Sequence, residues 1–546
     1  MLFFSTLILS LFITFSLIPV FRKLALRIRF LDIPDERKVH TIPTPRCGGL
    51  PMALGAMIPV FLHPEGNEMI RAILIGTGIV VFLGLIDDLK NTGYQVKLGG
   101  QTAAAFVIIF FGGLKINSLG MLLPEGAVLP DWLSVPLTLL VIVGVTNAVN
   151  LSDGLDGLAA GISMMGFALI GYLAYKSEYI SIALLAFSMV GAIFGFMPYN
   201  THPASVFMGD SGSQLLGFLA VTLSIGLTQQ GGPLSPLIPV LILGFPVLDT
   251  LAVILERITQ GRSPFLADKN HFHHKLLRLG LHHEEAVMTI YGIQFLLTLS
   301  AFTFRFYSDW FILGLYGGFS FLVLAGFHFT EKTGFSFKRR PLIDRGAGGR
   351  FKDLMERKLI KISFRVVVFG TPTLFLATCL LSGKVPSYIS SGSFILASFV
   401  LFSLSFMRPM ISSAVRIAVY LVVPFTVYLS ELEMPQVLAR SAIRIYSLSF
   451  GILALFSLLT MTFTKRRKGF KSTPMNFLIL AVALVVPNLP DFQMVAFHTG
   501  TIAMKIIVFF FSYEVLIGEL RGRTIRLAWA TTGALTVFGI KGLLQI

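Results

Sequence analysis

Apolar stretches of roughly 15 to 24 residues recur from one end of this chain to the other, and a helix needs about 20 to cross the hydrocarbon core of a bilayer. That recurrence leaves little choice of fold. With 54% hydrophobic residues, 13% charged residues and a mean hydropathy of +0.79, the composition lies outside the range of soluble domains. The sequence predicts an all-α polytopic membrane protein.

About eleven helices are expected in the first part, near residues 3–21, 48–62, 69–86, 101–114, 133–149, 158–175, 179–197, 212–228, 236–256, 287–304 and 309–329. A basic, Gly-containing stretch over 331–361 reads as a linker. About seven further segments follow, near 363–382, 391–406, 412–429, 441–463, 475–489, 494–514 and 526–543. The expected organisation is therefore a core over 1–330, the linker, and a second membrane module over 362–546 that serves as an accessory or partner-binding unit, with a homodimer or assembly partners as its candidate occupants.

Leu2 to Val20 lacks the basic n-region and small-residue cleavage site of a signal peptide, and its basic cluster follows it. A retained first helix with its N-terminus outside is expected. On that orientation the connections 22–47, 87–100, 150–157, 198–211, 257–286 and 330–361 face the cytoplasm and hold about 24 Lys and Arg, against about four in the opposite connections. The net charge of +16 is then explained by membrane orientation and anionic lipid, without nucleic acid. Cys47 and Cys379 are far apart and close to or inside apolar segments, so neither a disulfide nor a thiolate metal site is expected.

The chain has only 28 acidic residues, and several stand in polar gaps on the basic side. A carboxylate beside a bilayer is costly and marks a candidate site. Asp87 and Asp88 are adjacent at a helix end; like charges this close favour a neutralising cation. Asn147, Asn150, Asp153 and Asp156 recur every third residue, which on a helix places them along one drifting face. Asn200, Phe207 and Asp210 belong to a polar loop that opens the next helix, where backbone N–H groups suit phosphate and Phe207 offers a flat face to a nucleobase. His271, His273 and His274 cluster beside Arg262, better suited to donating to phosphate oxygens than to zinc, for which Cys and helical His spacing are missing. Lys38 and Arg46 lie in a proline-rich basic loop of fixed shape. Three Asp-bearing gaps suggest one shared site for a hard divalent cation.

Five motifs in order, Arg37-Lys38-x-His40-x-x-Pro43-Thr44-Pro45-Arg46-x-Gly48-Gly49, Asp87-Asp88, Asn147-x-x-Asn150-x-x-Asp153-Gly-x-Asp156-Gly, Tyr199-Asn200 through Phe207 to Asp210, and Asp268-x-x-His271-x-His273-His274, resemble the polyprenyl-phosphate N-acetylhexosamine-1-phosphate transferases, the WecA/TagO/MraY-like glycosyltransferase family 4. The His-rich loop is closest to the WecA/TagO branch. The resemblance covers about residues 1–330. It implies transfer of a sugar 1-phosphate, by default GlcNAc 1-phosphate, from a UDP-N-acetylhexosamine to undecaprenyl phosphate at the inner face of the bacterial plasma membrane, releasing UMP. This reaction initiates a surface polysaccharide, O-antigen or teichoic acid.

The resemblance further implies Mg²⁺ (Mn²⁺ as the substitute) on Asp88 and Asp210, and Asp87 as general base, acceptor-phosphate group or covalent nucleophile. Asn147, Asn150, Asp153, Asp156, Asn200 and Phe207 would hold the uridine and ribose. His271, His273, His274, Arg262, Lys38 and Arg46 would hold phosphate or sugar. A phospho-MurNAc-pentapeptide transferase is the near alternative. A lipid-linked sugar flippase is the alternative from another class; it predicts midplane charges and related halves, which the sequence does not display.

Overall fold

The computed structural model describes residues 2–34, 43–62, 68–90, 92–124, 126–263, 270–334, 350–437, 440–463, 499–520 and 524–544. Twelve of the described helices are long and apolar enough to cross a membrane. The chain is a nearly all-α, multi-pass membrane protein that divides into two compact units, one built on Met1–Arg339 and the other on Arg340–Ser472 and Asn476–Ile546.

The first unit runs α1 Leu2–Arg27, α2 Gly49–Phe61, α3 Glu68–Lys90, α4 Tyr94–Phe106, α5 Asp131–Leu151, α6 Leu158–Lys176 and α7 Ile180–Asn200. It continues with α8 Gly209–Thr228, α9 Ile238–Ile242, α10 Gly244–Thr259, α11 Phe272–Arg278, α12 His283–Thr303 and α13 Asp309–Thr333. At its centre α8 is buried along its whole length, with α6 and α7 mostly enclosed. α13 is mostly exposed and carries outward-facing Trp310, Phe321 and Phe329, as a lipid-facing helix should.

Several boundaries differ from the sequence expectation, each for a physical reason. α1 continues through its basic cluster to Arg27 because Lys and Arg are good helix formers. α3 runs to Lys90 and so carries Asp87 and Asp88 in its last turns. α4 begins at Tyr94 rather than near 101 and continues as a π-helical turn over Val107–Phe111. The single helix expected over 236–256 breaks at Leu243 into α9 and α10. Pro246 has no N–H to give the Ile242 carbonyl, and the Gln294 side-chain amide takes that carbonyl instead at 2.7 Å. Among the described residues the strand structure is a two-stranded antiparallel pair, β1 Leu31–Asp32 with β2 Thr44–Pro45, and an isolated bridge between Arg46 and Phe207.

The second unit contains α14 Arg350–Leu381, α15 Ser387–Phe406, α16 Ile411–Val437, α17 Arg440–Phe463, α18 Thr499–Leu520 and α19 Ile525–Leu544. α14 starts inside the stretch expected as linker, and the segment expected near 475–489 lies outside the described residues. Cys47 and Cys379 are both free and buried.

Candidate functional site: an acidic cavity at one end of the first bundle

A cavity of about 410 Å³ opens at one end of the first unit, within the size range of ligand pockets. Its acidic lining comes from Asp32 on β1, Asp88 on α3, Asp153 and Asp156 in the turn after α5, and Asp210 at the start of α8. Asn150, Asn200 and Phe207 also face it, as do Arg46, His273 and His274.

Asp88 is 6% exposed, and its carboxylate accepts the backbone N–H groups of Asp210 at 2.8 Å and Ser211 at 3.0 Å. A helix N-terminus has orphan donors that something must satisfy. Here a residue on a different helix does so, which leaves the Asp210 side chain free to turn to the cavity. Gly209 makes the approach possible: its φ is +72°, and a Cβ there would lie 2.5 Å from Asp88 Oδ2.

Asp87, expected as the reacting carboxylate, does not line the cavity. It is 3% exposed and accepts from Thr92 Oγ1 at 2.5 Å and from Lys97 Nζ at 2.8 Å. Lys97, on α4, also reaches Asp210 Oδ2 at 3.1 Å. Two carboxylates, Asp87 and Asp210, thus share one ammonium, a residue the sequence reading left out although it closes the gap after the acidic pair.

The Asn147–Asp156 segment is not one helical face. α5 ends at Leu151, and Asp153 and Asp156 lie in a turn, where Ser, Asp and Gly favour local backbone turns over helix. Asn147 stays on α5 and does not line the cavity. Asn150 does, and accepts from Ser213 Oγ at 2.6 Å. Burial first, then the charges of Asp210, Asp156 and Asp88, push the Asp153 carboxyl up to about 8.

Asp156 goes the other way. Burial works to raise it, but hydrogen bonds from His202 Nδ1 at 2.7 Å and the Ala204 N–H at 3.0 Å outweigh that and hold its carboxyl below the usual range. His202 stacks on His283 with ring centroids 4.0 Å apart, and His283 Nε2 accepts the Asp156 N–H at 3.1 Å. Asp156, His202 and His283 could together hold a metal ion by proximity, but their nearest lone pairs and protons are already engaged with one another. Neither histidine was assigned a role from the sequence. Asn200, 2% exposed, accepts from the Gly157 N–H at 3.0 Å and donates to the Val206 carbonyl at 3.1 Å. Its amide joins the two site loops.

Arg46 reaches the site through strand-like pairing. The Phe207 N–H donates to the Pro45 carbonyl at 2.8 Å, and the Gly48 N–H returns to the Phe207 carbonyl at 2.9 Å. Arg46 is then oriented by Asp32 at 2.5 Å. Lys38 lies outside the described residues. Arg262 is exposed and does not line the cavity.

The three histidines separate. His273 and His274 face the cavity, and His273 sits over Gly154, where a Cβ would lie 2.2 Å from its Nε2. Burial first, then His274, His271 and His283, lower the His273 imidazole to about 3, so at neutral pH it acts as an uncharged hydrogen-bonding ring. His271 does not line the cavity. Its Nδ1 lies 2.9 Å from Asp249 Oδ2, behind the site.

These features define an integral membrane protein with a carboxylate-rich, oxygen-donor cavity where several helix ends converge, the arrangement expected of a phosphate-handling enzyme. The model of glycosyl transferase family 4 matches residues 70–228. A probable undecaprenyl-phosphate N-acetylglucosaminyl 1-phosphate transferase of Bacillus subtilis (strain 168) is 37% identical over 305 residues, covering 56% of this chain and 85% of the relative. A decaprenyl-phosphate N-acetylglucosaminephosphotransferase of Mycobacterium leprae (strain TN) is 35% identical over 309 residues, 49% of this chain and 75% of the relative. An undecaprenyl-phosphate alpha-N-acetylglucosaminyl 1-phosphate transferase of Escherichia coli (strain K12) is 31% identical over 292 residues, 52% of this chain and 80% of the relative. The chain belongs to glycosyl transferase family 4, the superfamily of polyprenyl-phosphate N-acetylhexosamine-1-phosphate transferases.

Proposed function

We propose that the chain transfers GlcNAc 1-phosphate from UDP-GlcNAc to undecaprenyl phosphate, with release of UMP, on the cytoplasmic face of the inner membrane. The reading rests on family membership and on one observation: Asp210, held with Asp87 by Lys97, lines a cavity together with Asp88 and Asp153, and Asp88 binds the Asp210 backbone N–H. An oxygen of the lipid phosphate attacks the β-phosphorus of the nucleotide sugar. The bond from that phosphorus to the bridging oxygen breaks, and the electron pair leaves with UMP.

The donor set fits Mg²⁺, which prefers carboxylate oxygens together with substrate phosphate. Asp88 and Asp210 would hold it, and when bound it supplies charge neutralisation for the pyrophosphate and the leaving group. The chain's own residues do the positioning on which phosphoryl transfer depends. Asp88 fixes the start of α8. Lys97 is held by Asp87 and Asp210 and so fixes the Asp210 side chain at the cavity wall. Asp87 is an anchor for Lys97 in this arrangement rather than the attacking group. Arg46, His273 and His274 donate to phosphate or sugar oxygens. Asn150, Asp153, Asp156 and Phe207 form the wall for uridine.

The test uses purified full-length protein with UDP-GlcNAc, undecaprenyl phosphate and Mg²⁺. UMP and a lipid-linked GlcNAc diphosphate are expected in equal amounts, with both lost in EDTA and restored by Mg²⁺ or Mn²⁺. Folded protein that releases no UMP from any UDP-N-acetylhexosamine, or that turns over undiminished in EDTA, contradicts the proposal.

A further inference from the structure

The His-rich segment reaches the cavity because α10 holds it from behind. Asp249 and Glu256 lie about two helical turns apart on α10, so their side chains leave the same face. Glu256 accepts from Asn270 Nδ2 at 3.0 Å and Lys275 Nζ at 3.2 Å. Asp249, 1% exposed, accepts the Phe272 N–H at 2.7 Å through one oxygen and the His271 Nδ1–H at 2.9 Å through the other. Phe272 opens α11, so Asp249 satisfies one of that helix's orphan amides from a neighbouring helix. α11 has seven residues, too few to hold a helical conformation without docking.

The contact chain continues toward the reaction site. The His271 ring lies nearly parallel to the His273 ring, at 9° with centroids 5.9 Å apart, and His273 is 4.2 Å from His274. The last two face the cavity; the first does not. A direct acid–base role for the Asp249–His271 pair would require access to substrate, yet both side chains are buried and both Asp249 oxygens are engaged.

We infer that Asp249 is a positioning residue for the transfer reaction, acting through His271 to aim His273 and His274 into the cavity, and that His271 serves as its partner rather than as a substrate contact. The inference rests on the transferase reading above. Groups of this kind, standing one step behind the residues that touch a reacting centre, change activity by about 10- to 100-fold when removed.

The experiment measures UMP release by the full-length protein as Asp249→Asn, His273→Ala and their double variant, beside His271→Ala and His271→Asn. Asparagine keeps an N–H donor near the place of Nδ1. The expected result is a kcat/KM about 10- to 100-fold lower for Asp249→Asn. The double variant should lose less than the product of the two single losses, because Asp249 acts in part through His273 and in part through His274. His271→Asn should recover most of what His271→Ala loses. Losses that multiply in the double variant, or equal losses in both His271 variants, overturn the positioning role. Hydrogen exchange of the peptide 270–278 is followed in parallel, in case Asp249→Asn disturbs folding. A rise confined to that peptide is expected, and unchanged exchange there overturns the inference. A wild-type protein that releases no UMP defeats the transferase reading by itself, and the exchange result then decides the positioning claim.

Discussion

In the first unit, Asp87 and Asp210 share a single lysine, Lys97, while Asp88 and Asp153 line the adjoining cavity with Asp210 and have no ion-pair partner of their own among the described residues. In the second unit, two buried charges among the described residues, Glu514 and Lys505, each have an opposite charge as partner. Arg416 forms a fork with Glu514, Nε to Oε1 at 2.6 Å and Nη2 to Oε2 at 3.0 Å, and the Tyr420 hydroxyl adds to the same carboxylate. Lys505 meets Glu431 at 2.5 Å and lies 4.4 Å over the Tyr446 ring. Charge among apolar helices is costly in both places. Where it is matched within the chain it fixes which helix faces meet. Where carboxylates outnumber their cation, as around Lys97, we propose that a bound cation restores the balance. That imbalance, more than burial or acidity, separates a site from a strut.

The largest expected effect tests that separation directly. Asp210→Asn removes a cavity carboxylate and should lower UMP release about 10³-fold, comparable to losing a main electrostatic contact to a transition state. Arg416→Met should leave turnover per folded molecule within about twofold of wild type while lowering stability by about 3–5 kcal/mol, because Glu514 stays buried without its partner. Adding Glu514→Leu should return most of that stability, as read from thermal midpoints in detergent. A transferase defect in Arg416→Met that survives correction for folded protein would break the comparison.

A smaller effect follows from Asp153. Its folded carboxyl, raised to about 8, stands well above the unfolded value of about 3.9. The folded state therefore binds more protons between about pH 4 and about 8. The associated stability is full below that window and is lost as pH rises through it, by at most about 1.4 kcal/mol per pH unit. Without divalent metal, the thermal midpoint should fall across this range in wild type and flatten in Asp153→Asn; a midpoint that rises with pH contradicts the assignment. Least severe, Gly154→Ala places a Cβ against His273 and should lower kcat/KM by about tenfold with little change in midpoint, since the ring can shift by a small angle.

Most of the helical architecture was legible in the sequence, because apolar runs of spanning length have few other outcomes. The site was legible as a set of residue types, less so as geometry. The three-residue spacing from Asn147 to Asp156 suggested a helix face, but Ser152, Gly154 and Gly157 favour the turn that the chain adopts. That turn points Asp153 and Asp156 inward and leaves Asn147 behind. Asp87 and Asp88 look equivalent as neighbours, yet successive helical positions differ in direction by about 100°, so only Asp88 meets the cavity. His271 carries the same sequence signal as His273 and faces the other way. Lys97, His202, His283 and Asp249 were unassigned because their roles depend on partners far away in the chain. Asp249 did leave a trace, as a lone acid within the apolar run Gly244–Ile254, where the cost argument used for the other carboxylates applies equally.

The central claim, that the unmatched carboxylates around Lys97 await a divalent cation and a pyrophosphate, is tested most directly by Mn²⁺ binding. Electron paramagnetic resonance of the full-length protein, titrated with Mn²⁺ in the presence of UDP, should show one tightly held ion per chain in wild type. Asp210→Asn should lose it, and Arg416→Met should keep it. Mn²⁺ binding that is unchanged in Asp210→Asn would contradict the account.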